Sequence, residues 1–181
     1  SAGLRVFGEN RVQEAQPKIG ELPADIEWHF IGHLQSNKAK ACADLFDMVH
    51  SVDSLRLGKR LAARAAEGRS VRMLLQVNLT GKASQSGFTA TAVHEAVTVL
   101  AGEPGAALEG LMTIAPQATD DEESRPWFRR LARLHRELGE EATGHPWRHL
   151  SMGMTEDYLI AIEEGATLVR VGRALFGERP T

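Results

Sequence analysis

The chain has 181 residues, 43% hydrophobic and 25% charged, enough to bury one sizeable core in a single domain spanning 1–181. A net charge of −3 gives no electrostatic footprint for nucleic acid or an anionic membrane, and no apolar run reaches the roughly 18 residues that span a bilayer. The single cysteine, Cys42, forms no internal disulfide and fits a reducing, cytoplasmic compartment, and no Cys/His cluster has metal-site spacing.

The opening SAGLRVFGEN looks neither like a signal peptide nor like a natural start. Its LRVFG (4–8) is the first short β-rich apolar run, and EWHFIG (27–32) is the second. His29 lies inside that second run, where a satisfied core histidine is the plain expectation. LQSNKAK (34–40) reads as a helix start with Ser36 as cap. DMVHSV (47–52) is followed by the helical SLRLGKRLAARAAEG (54–68), opened by Ser54. VRMLLQVNL (71–79) is followed by TATAVHEAVTVLAG (89–102), opened by Thr89. ALEGLMTI (107–114) precedes DEESRPWFRRLARLHRELGEE (121–141), whose Trp127 and Phe128 face a core. RHLSMG (148–153) precedes TEDYLIAIEEG (155–165), with Thr155 as N-cap, an acidic first turn and Gly165 as stop. Glu163 and Glu164 near its end are expected at the surface. LVRVG (168–172) is the seventh run.

Strands alternating with helices predict parallel βαβ units buried on both faces. A closed (β/α) barrel wants eight strands. Seven runs leave three arrangements: an eighth strand not recognised, an open doubly wound sheet, or a barrel lacking one unit. The abrupt opening favours the last, an N-terminally incomplete barrel.

In parallel α/β folds, ligands meet the C-terminal ends of the strands. Gly8, Glu9 and Asn10 follow the first run, Ser151 and Gly153 stand at the end of the sixth, and Gly172 and Arg173 close the seventh. The last two loops of such barrels often hold a phosphate on backbone N–H groups, which glycine allows to come close. Arg170 poses a question, because a bare charge inside an apolar strand is expensive to bury. The plain alternative is a strand ending at the surface with two solvated arginines.

Several motifs occur together and in order: FGENRVQEAQPK (7–18), WHFIGHLQSNKAK (28–40), HSVDS (50–54), LEGLMTIAP (108–116) and LSMGMTEDYLIAIEEGATLVRVGRALFG (150–177). They resemble the pyridoxal phosphate homeostasis proteins, the YggS or PROSC family, relatives of the alanine racemase barrel. The resemblance implies a TIM-type (β/α) barrel, usually monomeric, that binds pyridoxal 5′-phosphate. It implies no established reaction, but buffering of the cofactor and its delivery to PLP-dependent apo-enzymes. It implies that Arg170 faces the pyridine nitrogen and that Gly172 and Arg173 offer N–H groups to the phosphate. The Ser151 hydroxyl would lie beside them, and Asn10 and His29 would line the ring. Relatives carry a Schiff-base lysine on a first strand, in an SK motif upstream of FGEN. That strand is not in this sequence, and Lys18, Lys38, Lys40, Lys59 and Lys82 match none of it. The loop NLTGKASQSGF (78–88) departs from its relatives too, with Lys82 and Gln85 standing where an acidic residue and a lysine are frequent.

A racemase is the competing reading. It needs acid/base groups on both faces of the ring, and the only tyrosine here is Tyr158, on an expected surface helix. An unrelated phosphate-binding barrel enzyme would explain the last two loops but not FGENRVQEA.

Overall fold

The computed structural model describes residues 3–65, 69–116, 120–142 and 144–177. The end of the helical pattern at 66–68 and the first and last residues of the chain lie outside the described residues. Strands and helices alternate as β1 (Val6–Glu9), α1 (Val12–Glu21), β2 (Glu27–Phe30), α2 (Ala39–Leu45), β3 (Met48–Val52), α3 (Leu55–Ala62) and β4 (Val71–Gln76). They continue as α4 (Ala92–Ala101), β5 (Ala106–Met112), α5 (Arg125–Gly139), β6 (His149–Met154), α6 (Tyr158–Glu163), β7 (Leu168–Arg170) and α7 (Arg173–Phe176). Short 3-10 turns at Ser36–Lys38 and Asp121–Ser124 lead into α2 and α5. No helix among the described residues is long and apolar enough to cross a membrane.

All strand pairs are parallel, and the sheet order is the chain order, β1 to β7. The sheet curls. Three strand spacings of about 4.8 Å would hold β3 and β6 about 14 Å apart in a flat sheet. Yet the His50 ring on β3 lies 2.8 Å from the Ser151 hydroxyl on β6. Seven strands thus make a nearly closed barrel, with β1 and β7 as the sheet's two edges. Most of the large exposed apolar side chains gather near these edges: Leu4, Val6 and Val169, with Leu159, Ile162, Leu175 and Phe176 on α6 and α7.

The pleat divides the residues between two layers. Trp28 and Phe30 of β2, and Val71, Met73 and Leu75 of β4, join the core beneath the helices. Met48, Leu74 and Met112 form a small separate cluster inside the barrel. The amphipathic α5 buries Phe128, Leu131, Leu134 and Leu138 at helical spacing, with Trp127 packed at its margin.

Three local expectations change. Thr155 is not a cap: α6 starts at Tyr158, and Asp157 accepts a hydrogen bond from the Met154 N–H at 2.7 Å. Gly153 forces this route, since its φ is +89° and an added Cβ would meet the Ala161 Cβ at 2.6 Å. Ser36 lies within its 3-10 turn, and neither that turn nor α2 has a side-chain cap. Glu164 is not solvated either. It accepts from Arg125 and Arg129, and its side chain is 12% exposed. The Ser54 cap is present, its hydroxyl accepting from the Leu57 N–H at 3.4 Å. Gly165 ends α6, with the Ala166 N–H returning to the Ala161 carbonyl at 2.8 Å.

Candidate functional site

The C-terminal strand ends form one mouth. Asn10, after β1, is exposed, and its carbonyl oxygen stands 2.2 Å from where a Cβ on Gly32 would lie. Only glycine lets the loops after β1 and β2 meet there. After β4, Asn78 ties its own loop together by accepting from the Thr80 and Gly81 N–H groups. Gln85 donates to the Ile114 carbonyl at 2.7 Å, fixing that loop to the end of β5. Lys82 and Gln85 therefore sit in a structural wall, and Lys82 is exposed at its rim. The other lysines lie on α1, α2, α3 and the 3-10 turn; Lys18 pairs with Glu9 at 2.5 Å.

Arg170 ends β7 with its guanidinium turned inward. It donates to the Ser151 hydroxyl at 2.7 Å and to the Thr113 carbonyl at 2.8 Å. These acceptors explain how an apolar strand carries a cation. Burial lowers its pKa to about 10, opposed by Asp157, so it stays charged at neutral pH. Gly172 opens α7, and a Cβ added there meets nothing within 4 Å, so its backbone is open to approach. The helical bonds of α7 begin with the Leu175 and Phe176 N–H groups on the Gly172 carbonyl, leaving the preceding N–H groups ahead of the ladder. The Arg173 side chain pairs with Glu156, which joins the loops after β6 and β7.

His29 does not reach the mouth. It is 4% exposed, and its ring contacts Glu27 at 2.9 Å on one side and His50 at 2.9 Å on the other. The expected satisfied core histidine is therefore what the strand holds. His50 continues to Ser151, itself fully buried. Beneath them Arg72 of β4 grips Glu109 of β5 through two bonds at 2.7 and 3.1 Å and reaches Glu27 at 2.5 Å. His149 stands 3.5 Å from Glu109. Burial, aided by His29, Arg170, His149 and Arg72, holds His50 well below the usual imidazole range and therefore neutral. The bond from His29, with Arg72, lowers Glu27 and keeps it a carboxylate.

Five of these interior groups, Glu27, His50, Arg72, Glu109 and His149, were not singled out in the sequence. Arg72 and Glu109 each showed the signal that marked Arg170, a charge within an apolar strand. The structure links Arg170, Ser151 and, through His50, His29; Gly172 and Arg173 sit above them, and Asn10 lies on the rim with Gly32. A partly buried cation beneath an open glycine backbone suits a ligand that joins an aromatic acceptor atom to an anionic group.

The family of the alanine racemase N-terminal domain matches residues 1–180. The pyridoxal phosphate homeostasis protein of Aquifex aeolicus is 42% identical over 181 residues, covering 99% of this chain and 79% of the relative. PipY of Synechococcus elongatus, solved without PLP, superposes with a TM-score of 0.91 at 41% identity, covering 97% of this chain and 83% of that one. The structure of PipY with PLP bound gives 0.88. An alanine racemase of Clostridium difficile shares the fold alone, with a TM-score of 0.68 at 18% identity, covering 98% of this chain and 48% of that one. By sequence along its whole length and by barrel architecture, the chain belongs to the alanine racemase N-terminal domain family, among the pyridoxal phosphate homeostasis proteins.

Proposed function

We propose that this chain binds pyridoxal 5′-phosphate at the barrel mouth and serves cofactor homeostasis without catalysing a reaction of its own. The observation that carries this is the Arg170 guanidinium, held at the end of β7 by Ser151 and Thr113. A fixed cation opposite the ring nitrogen disfavours its protonation, and an unprotonated ring is a poor electron sink. Pyridoxal phosphate, when bound, supplies an aldehyde and an electron-withdrawing ring. The backbone N–H groups of Gly172 and Arg173 hold the phosphate, with Ser151 beneath and Asn10 at the rim. His29 backs this set through His50 rather than touching the ring. The structure of PipY with PLP bound supports the ligand.

The same reading makes the protein a cytoplasmic monomer that hands cofactor to PLP-dependent apo-enzymes. A racemase-like activity would need a second acid/base group, and the only tyrosine, Tyr158, opens α6 beside Gly153.

The test is an absorbance titration with pyridoxal phosphate on the wild type and on Gly172→Val. A Cβ added at this position meets no protein atom within 4 Å. The variant should therefore keep its fold and lose at least tenfold in affinity, about 1.4 kcal/mol. Equal affinity in a folded variant would place the phosphate elsewhere.

A further inference from the structure

The turn after β6 holds two adjacent carboxylates that do different things. Asp157 is turned in, 9% exposed, and accepts from the Met154 N–H at 2.7 Å, while its own N–H returns to the Met154 carbonyl at 3.2 Å. These two bonds fix the turn. Glu156 projects from it across to the loop after β7, where it accepts from the Arg173 guanidinium.

This pair is open to water, with the Arg173 side chain 55% exposed and that of Glu156 54% exposed. Exposed pairs of this kind contribute little to stability, because water and salt screen them. The pair is easily broken, and its place in the fold decides what breaks it. Arg173 follows Gly172, whose backbone is open to approach and carries the proposed phosphate contact. Arg173 thus brings a fixed N–H and a movable guanidinium to one place. A guanidinium only donates, and its planar fork fits a carboxylate or a phosphate in the same two-bond geometry. A phosphate ester carries about 1.5 to 2 negative charges at neutral pH, against one on a carboxylate. In the free protein Glu156 therefore engages a donor that a bound phosphate would use.

We infer that Glu156 is a release element of the phosphate site: it holds the Arg173 guanidinium in the free protein, the ligand's phosphate displaces it, and its return helps the ligand leave. The inference rests on the proposed binding of pyridoxal phosphate at this mouth and adds how the phosphate is let go. Two anions exchange on one cation, with no proton moved and no covalent bond changed. The coupling between them is negative and reciprocal, so ligand binding also unties the loops after β6 and β7. Its effect falls mainly on dissociation, because the carboxylate neighbours the bound phosphate and not a ligand still in solution. A site that gives up its anion in this way suits a protein that hands its cofactor on.

Equilibrium and stopped-flow absorbance titrations with pyridoxal phosphate test it on the wild type, Glu156→Gln, Arg173→Gln and the double variant. Both side chains are more than half exposed, so all four proteins should fold. Glu156→Gln should tighten binding about three- to tenfold, mostly through slower dissociation, and the gain should shrink when salt is raised to about 0.5 M. Arg173→Gln should weaken binding, and the double variant should bind no better than Arg173→Gln. Unchanged or weaker affinity in Glu156→Gln overturns the exchange. So does a gain that survives in the Arg173→Gln background, which would make Glu156 a repelling charge and nothing more. The two failures are distinguishable: equal binding by the wild type and Glu156→Gln leaves the proposed function standing and removes the release element, whereas a wild type that binds no pyridoxal phosphate refutes both.

Discussion

Replacing Arg72 by methionine keeps the apolar stem and removes the cation that joins two interior carboxylates. Three charge-assisted hydrogen bonds disappear, two to Glu109 and one to Glu27. The Glu109 side chain is only 7% exposed, so it is left as a buried charge with His149 at 3.5 Å as its remaining neighbour. Breaking a buried pair by removing one partner costs about 3–5 kcal/mol. The Arg72 side chain is 35% exposed, so solvent screens part of the loss and the low end applies, about 3 kcal/mol. For a chain of this size that lowers Tm by roughly 6–12 °C. The sign with pH follows from Glu27, whose folded pKa is depressed. Its stabilisation is present above the unfolded value near 4.3 and is lost as pH falls through the folded one. The deficit of the variant should therefore shrink in acid, where the stranded carboxylates take protons. Urea unfolding at pH 7.5 and at about pH 3.5, below the unfolded carboxylate value, measures it. Adding Glu109→Gln to Arg72→Met should restore part of the loss in a double-mutant cycle. A deficit under about 1 kcal/mol at pH 7.5, or one that widens in acid, would refute the assignment of a buried, coupled network.

Two further outcomes are expected from residues away from this network. Gly32→Ala should destabilise by about 1–3 kcal/mol in urea unfolding, since its Cβ would lie 2.2 Å from the Asn10 carbonyl oxygen; an unchanged midpoint would mean the loops after β1 and β2 move apart freely. His135 stacks on Trp147 with ring centroids 5.2 Å apart, and burial lowers its pKa to about 4. The unfolded chain takes its proton below about 6.5 and the folded one does not, so stability falls between pH 6.5 and 4, and His135→Phe should flatten that fall; an identical pH profile in the variant would show that this proton is not the one that matters.

The βα alternation was legible because each strand is a short apolar run and each helix carries its own period. Seven runs became seven strands, and the first and last became the sheet's edges. Arg170 was legible as an anomaly, a cation where apolar side chains belong. Its partners were not, because Ser151 on β6 and Thr113 just after β5 lie 19 and 57 residues away. Arg72 and Glu109 carried the same anomaly, 37 residues apart, but nothing local says that two inward phases of neighbouring strands meet. His50 was hidden for another reason: a lone histidine in an apolar strand looks alike whether it only packs or also bridges two other strands. The Thr155 cap failed because α6 starts three residues later, at Tyr158, and Asp157 before it turns its carboxylate back to the Met154 N–H, a contact that residue types alone do not reveal.

Because sheet order follows chain order, every strand can dock on the one made just before it, and each step closes only a modest loop. A parallel sheet built this way avoids the long-range closures that slow other β-rich chains. The His50–Ser151 bond is the exception, spanning 101 residues, and it cannot form until β6 has curled back over β3. The same bond therefore belongs to the late, downhill side of folding. Weakening it should leave the folding limb of a chevron in place and raise the unfolding limb, so that the interior line governs how long the barrel lasts rather than how fast it is made.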